Sequence, residues 1–181
     1  MDLKDFVKVS AIPDETINKY QNRVCPEVVD MWKEYGTGSF LGGYLRIINP
    51  DDYDELIEET YFSGKNNVPL FVTAFGDVIT YEKEGHIFVV EYKICDFEGM
   101  IKGFPLFIRL LDDPTFIKRF FDIPLYEKAR KKFGELALDE SYGFVPLLPL
   151  GGKKDVNHMD KVKTREHIEL ISQLVGKVGM D

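Results

Sequence analysis

Apolar residues recur along this chain with two different periods, and the changes of period divide it into elements. In the first third the spacing is helical. Ile17, Tyr20 and Val24 share one face behind Asp14 and Glu15, which follow Ile12-Pro13. Pro26 opens a second helix in which Val28, Val29, Trp32 and Tyr35 form a stripe that Gly36 stops. Thr37-Gly38-Ser39 leads into a strand from Phe40 to Ile48, where Gly42-Gly43 predicts a bulge or a close backbone approach, and Asn49-Pro50 ends it. Asp51 to Glu59 reads as a helix with carboxylates in its first turn, where the helix dipole favours them; Tyr53, Leu56, Ile57 and Thr60 are left for the core.

From Val68 to Ile94 the period falls to two. Leu70–Phe75, Val78–Tyr81 and Ile87–Ile94 read as three strands joined by Gly76-Asp77 and Lys83-Glu84-Gly85, which is an antiparallel meander. Helical spacing returns after Gly103 in Leu106, Phe107, Leu110 and Leu111, restarts at Asp113-Pro114 with Phe116, Ile117, Phe120 and Phe121, and restarts at Pro124 with Leu125, Ala129 and Phe133. Asp139 to Gly152 reads as a turn, a buried strand and a tight Gly-Gly loop, the strand being expected to complete the sheet. After a polar loop a last helix runs from about Thr164, with Ile168, Ile171, Leu174, Val175 and Val178 facing inward. The pattern predicts an α+β fold: an antiparallel sheet of about five strands flanked by helices, with a helical N-terminus and a helical C-terminal region.

A chain of 181 residues is long enough for one sizeable core and short for two. No apolar stretch reaches the length needed to cross a bilayer, and Met1-Asp2-Leu3-Lys4-Asp5-Phe6 lacks the basic start and apolar core of an export signal, so no membrane partner and a cytoplasmic location are expected. Cys25 and Cys95 match neither a disulfide framework nor a metal knuckle and are expected as small core residues. The net charge of −8 is unevenly spread: residues 1–100 hold 9 Lys and Arg against 19 Asp and Glu, and residues 101–181 hold 14 against 12. An acidic half argues against nucleic-acid binding and for a basic protein partner.

Asp77 with Glu91-Tyr92-Lys93 is the sharpest catalytic candidate, because an acid upstream of an acid-x-Lys strand can hold a divalent ion and poise a water for nuclease or hydrolase chemistry. Strand alternation places Glu91 and Lys93 on one face, which also describes a strand with one solvated side. His86, His158 and His167 have no metal spacing, and Ser141 has no neighbouring base or nucleophile elbow. Arg130-Lys131-Lys132 and Lys153-Lys154 could grip an anion, though short cationic runs usually serve solubility. Asp51, Asp52, Asp54, Glu55, Glu58 and Glu59 form the larger cluster, either a solvated helix face or a docking surface for a cationic protein. A small-ligand or regulatory module is a further alternative, for which a pocket lined by aromatics would argue.

Four ordered segments carry a family likeness: Trp32 to Gly38, Asn49 to Tyr53, Thr73 to Asp77, and Asp139 to Pro146 with Leu150-Gly151-Gly152. Together they resemble the GAD-like family, whose members pair a GAD-like N-terminal region with a C-terminal region found in immunity proteins against type VI secreted DNase toxins. The SUKH group of immunity proteins, which also places a helix ending in a Tyr-Gly turn before a later strand, is a second resemblance. The likeness implies a non-enzymatic antitoxin that neutralises a cognate toxin by binding it, without cofactor or metal, as a monomer or weak homodimer. It implies a GAD-like region over 1–103 and an immunity-type region over 104–181, joined in one unit. Trp32, Gly36, Asn49, Pro50, Phe75, Gly76, Asp77, Gly143, Gly151 and Gly152 are expected to build the fold, not to touch the toxin.

Overall fold

Neighbouring residues in the central strands point into two different cores, one on each side of a sheet. The computed structural model describes residues 2–180. Its first part runs β1 (Val7–Ser10), α1 (Asp14–Tyr20), α2 (Pro26–Tyr35), β2 (Thr37–Phe40), β3 (Leu45–Ile47), α3 (Asp54–Thr60), β4 (Val68–Thr73), β5 (Val78–Tyr81), β6 (His86–Glu91) and β7 (Asp96–Lys102). These seven strands form one antiparallel sheet in which spatial order equals chain order. Then come α4 (Phe104–Leu110), α5 (Pro114–Phe120), α6 (Ile123–Phe133), the two-stranded ribbon β8 (Glu140–Phe144) and β9 (Met159–Lys163), and α7 (Thr164–Val175).

Phe71, Ile79 and Val89 enter the larger core with Trp32, Phe104 and Phe107, whereas Val72, Val78 and Val90 enter a smaller core with Leu56, Ile57, Ile168 and Ile171. The period of two therefore sorts the helices: α2 and α4 cover one face, α3 and α7 the other. Phe71 is central, with ring centroids 5.6 Å from Phe40 and 5.7 Å from Phe107. Each such fully buried side chain contributes about 1.5–3 kcal/mol. Helix ends follow local chemistry. Asp113 accepts from the backbone N–H of Thr115 (2.7 Å) and Phe116 (3.0 Å) at the start of α5, and Asp122 accepts from Leu125 N (3.2 Å) at the start of α6. Gly36 stops α2 at φ +69°, and a Cβ there would lie 2.2 Å from the carbonyl oxygen of Ser10, so β1 can close against the helix end only over a glycine.

Several expectations need correction. The sheet has seven strands, not about five, and the first element is a strand, not a helix. All four residues of β1 are exposed, and β7 mixes charged and apolar residues with one buried side chain, so these two edges lack the alternation that marks a half-buried strand. The stretch expected as one strand over 40–48 is a hairpin: Leu41, Gly42 and Gly43 all have positive φ and turn the chain between β2 and β3. β8 does not extend the sheet. It pairs with β9, which lies in the expected polar loop, and touches the sheet through a hydrogen bond from Tyr142 N to Ala74 O of 2.8 Å. The apolar run after it is a turn with a cis Val145-Pro146 bond and a 3-10 turn over Leu148–Leu150. β6 ends at Glu91, and Tyr92–Ile94 is a 3-10 turn. Leu174 is 55 % exposed, and Val178 is buried beyond the end of α7, bridged to Tyr61.

Candidate functional site

The acidic run divides by role. Asp51 accepts from Thr16 Oγ1 (2.6 Å), Lys19 Nζ (2.6 Å) and Tyr20 OH (3.0 Å), and Asp54 lies 3.8 Å from Lys19 Nζ and from Arg23 Nη1. Burial acts upward on the Asp51 carboxyl, but the hydrogen bonds from Lys19, Thr16 and Tyr20 outweigh it and hold the group below its ordinary value. Asp54, and Asp51 in the turn before it, fasten the start of α3 to α1 and the segment after it. Asp52, Glu55, Glu58 and Glu59 are exposed and, among the described residues, make no ion pair.

Asp77, Glu91 and Lys93 do meet. Lys93 Nζ donates to Asp77 Oδ2 and to Glu91 Oε1 (2.8 Å), while Asp77 also takes Thr73 Oγ1 (3.4 Å) and is 2 % exposed. Burial works against the Lys93 ammonium, but Asp77 and Glu91 outweigh it and hold Lys93 above its ordinary value; burial likewise pushes the Asp77 carboxyl up against the pull of Lys93. The place where a divalent ion would bridge the two carboxylates is held by an ammonium. Among the described residues no group of three His, Cys, Asp or Glu is arranged to hold a metal. Over this triad opens a cleft of about 590 Å³, walled by Tyr44, Phe120, Phe121, Ile117 and Ile123, with Glu91 and Lys93 on its lining and Lys118, Arg119 and Lys154 beside them. A cleft with an aromatic and aliphatic wall and a charged rim, Asp122 included, has features of a small-ligand site.

The least expected group is Arg46 on β3, which is 1 % exposed. Nη1 donates to the carbonyls of Ala137 (3.2 Å) and Glu140, and Nη2 donates to Thr73 O (2.6 Å) and Ser141 Oγ (3.1 Å). Nε has no partner among the described residues, and no carboxylate pairs with the guanidinium. Burial pushes its pKa down to about 10, so it stays charged at neutral pH. Most of its acceptors belong to residues 137–141, and Ser141 continues the network to Thr164 Oγ1 (2.6 Å) at the start of α7. Arg46 thus pins the ribbon and last helix to the sheet. An arginine inside the run Tyr44-Leu45-Arg46-Ile47-Ile48 was its only sequence signal.

Other singled-out residues serve the fold. Trp32 is 1 % exposed, and Asn49 Oδ1 accepts from Asp51 N (3.1 Å) before Pro50. Phe75 stacks on Phe144 at 6.0 Å, and Gly76 turns the β4–β5 hairpin at φ +81°. A Cβ on Gly143 would lie 2.7 Å from His167 Nε2, and one on Gly152 would lie 2.0 Å from Pro146 O; Gly151 has φ +90°. His158 pairs with Asp155 at 2.7 Å and His86 Nδ1 lies 3.0 Å from Lys83 O. The basic runs are partly committed: Arg130 to Glu135 (2.6 Å), Lys132 to Val156 O (3.1 Å) and Lys154 to Asp122 (3.0 Å). Cys25 and Cys95 are free and partly buried. Among the described residues no helix is long and apolar enough to cross a membrane.

The GAD-like domain matches residues 2–93, and the domain described as T6SS immunity protein Tdi1, C-terminal, matches residues 102–175. The crystal structure of Atu4351 from Agrobacterium tumefaciens is similar to this chain with a TM-score of 0.76 at 18% identity, over 94% of this chain and 86% of that one. At that identity the likeness is one of fold. None of the curated proteins compared matches the sequence. With the first domain spanning just over half its length and the second following it in order, the chain belongs to the GAD-like family and carries the C-terminal domain of type VI secretion immunity proteins.

Proposed function

We propose that this protein is an antitoxin that binds and neutralises a cognate secreted nuclease in the cytoplasm, without catalysis of its own. The observation that carries this reading is the match of residues 102–175 to the Tdi1 C-terminal immunity domain. The charge distribution supports the rest. A nuclease grips phosphates with Lys and Arg, and an acidic surface competes for that patch while repelling DNA from this chain. Asp52, Glu55, Glu58 and Glu59 are the carboxylates left free for it, and the bonds of Asp51 and Asp54 to α1 and Arg23 hold the turn and the start of α3 in place, which lowers the entropy cost of docking. The protein acts as a monomer or weak homodimer with one toxin.

Co-purification with the product of a neighbouring toxin-like gene, and survival of cells expressing both, is the expected result; neither binding nor protection removes the proposal. Reversing Asp52, Glu55, Glu58 and Glu59 to Lys lowers affinity about tenfold or more and flattens its salt dependence. Unchanged affinity and salt slope would remove the acidic face and leave the antitoxin role standing. The aromatic cleft over Glu91 and Lys93 favours a second reading, a small-ligand module, for which a saturable shift in melting temperature with a metabolite panel is the test.

A further inference from the structure

A second surface lies where α3 runs out. Ser63, Lys65, Asn67, Glu82 and Lys83 line an open groove of about 770 Å³ between the end of α3 and the β5–β6 turn. Its most committed group is Glu82. Oε1 accepts three hydrogen bonds, from Asn67 Nδ2 (2.8 Å), Tyr61 OH (3.1 Å) and Thr80 Oγ1 (3.2 Å), whereas Oε2 accepts none among the described residues. None of the three donors is charged, and among the described residues no cation lies within ion-pair distance. The donors are themselves fixed. Tyr61 is 1 % exposed and packs against Phe62 and Phe97 at 5.1 and 5.5 Å, and Asn67 and Thr80 are buried. Burial pushes the Glu82 carboxyl above its ordinary value, with the hydrogen bonds from Tyr61 and Thr80 opposing it.

We propose that Glu82 is a preformed seat for one lysine or arginine side chain of the partner protein. The fold already bears part of the desolvation of this carboxylate and fixes its direction, so an incoming cation meets an acceptor that needs little ordering. A free metal ion fits poorly, because a hard cation takes several oxygens and the second carboxylate on the lining, Glu84, already pairs with Lys102 at 3.6 Å. Lys65 and Lys83 are exposed and make no ion pair among the described residues, so they select a basic residue that brings an acidic neighbour with it. Arg23 is occupied by Asn67 O at 2.8 Å. The lining begins at Ser63, shortly after the end of α3, the helix that carries Glu58 and Glu59. The identity of the partner rests on the antitoxin reading; the seat itself does not.

Glu82→Gln keeps the side-chain shape and an oxygen for the three donors while removing the charge. Its affinity for the toxin that binds the wild type is expected to fall about tenfold or more, by calorimetry, with cooperative unfolding retained. An affinity within about twofold of wild type overturns the seat. Should the wild type bind no such toxin, the antitoxin reading falls and the seat is judged by nuclear magnetic resonance with N-acetyl-arginine amide as probe. A saturable shift of the Glu82 carboxyl carbon, absent with N-acetyl-norleucine amide, supports it. No shift at Glu82 overturns it.

Discussion

Arg46 on β3 and Lys93 in the turn after β6 are both cations largely withdrawn from solvent, and they are satisfied in opposite ways. Lys93 sits between two carboxylates, so its charge is cancelled where it lies. Arg46 faces carbonyl and hydroxyl dipoles alone and keeps its full charge in the core. The difference follows from what each joins. Lys93 closes a local contact, with Asp77 and Glu91 close by in the chain, and a flexible ammonium suffices. Arg46 holds acceptors from distant strands, and only a planar fork with five donors can reach several at once. A carboxylate would occupy the fork and leave fewer donors for the backbone of residues 137–141.

The largest expected effect is therefore Arg46→Ala. It removes a donor from the buried carbonyl of Thr73 and from the half-covered carbonyls of Ala137 and Glu140 and leaves a cavity, and should lower unfolding free energy by about 3–5 kcal/mol in denaturant titration. A loss below about 1 kcal/mol would show that the ribbon holds to the sheet without the pin. Lys93→Met comes next. It leaves Asp77 buried beside Glu91 and should cost about 2–4 kcal/mol at neutral pH, with most of that recovered in Lys93→Met/Asp77→Asn. Its pH dependence has a definite sign. Without the ammonium the folded-state pKa of Asp77 lies further above its unfolded value, so the penalty is absent below that unfolded value and grows as pH rises through the folded one. A penalty that ignores pH, or a double variant no better than the single, breaks the contrast with Arg46.

Ser141→Ala should cost about 1 kcal/mol, because it removes one of four acceptors of Arg46 and the partner of Thr164. An effect as large as that of Arg46→Ala would mean that the hydroxyl pair, not the guanidinium, holds α7. The smallest effect belongs to His167, whose ring packs against Gly143 and whose pKa burial lowers. The folded state then binds fewer protons than the unfolded one, so stability is lost as pH falls through about 6.5 towards the lower folded value. His167→Gln should remove that part of the slope in melting temperature between neutral and mildly acidic pH, and an unchanged slope assigns it to the carboxylates instead.

Where burial follows a period, the sequence was readable. The meander from Val68 to Ile94, the stripes after Gly103 and the Asp113-Pro114 start all came from spacing, because half-buried strands and amphipathic helices record their inner face in every second or every third to fourth residue. β1, β7 and β9 left little trace, since an edge strand or a two-stranded ribbon buries little of either face. The six acids were visible as a group. Asp51 and Asp54 stand out only by the partners they meet on α1, and a helix more than thirty residues away in sequence cannot be read from their spacing. Glu82 and Arg46 were opaque for a similar reason: an acid at a strand end and an arginine inside an apolar run acquire meaning only from groups the fold brings beside them.

The order of the seven strands bears on how the chain is made. Each pairs with the one before or after it, so the sheet can be laid down strand by strand as it leaves the ribosome, its longer connections being the ones that carry α1, α2 and α3. Arg46 is the exception to this locality. Three of its four acceptors lie beyond residue 136, and until they are synthesised the guanidinium has only the carbonyl of Thr73 among them. An incomplete chain is thereby kept from settling, and the half with the acidic helix becomes fully stable only when the immunity domain has arrived.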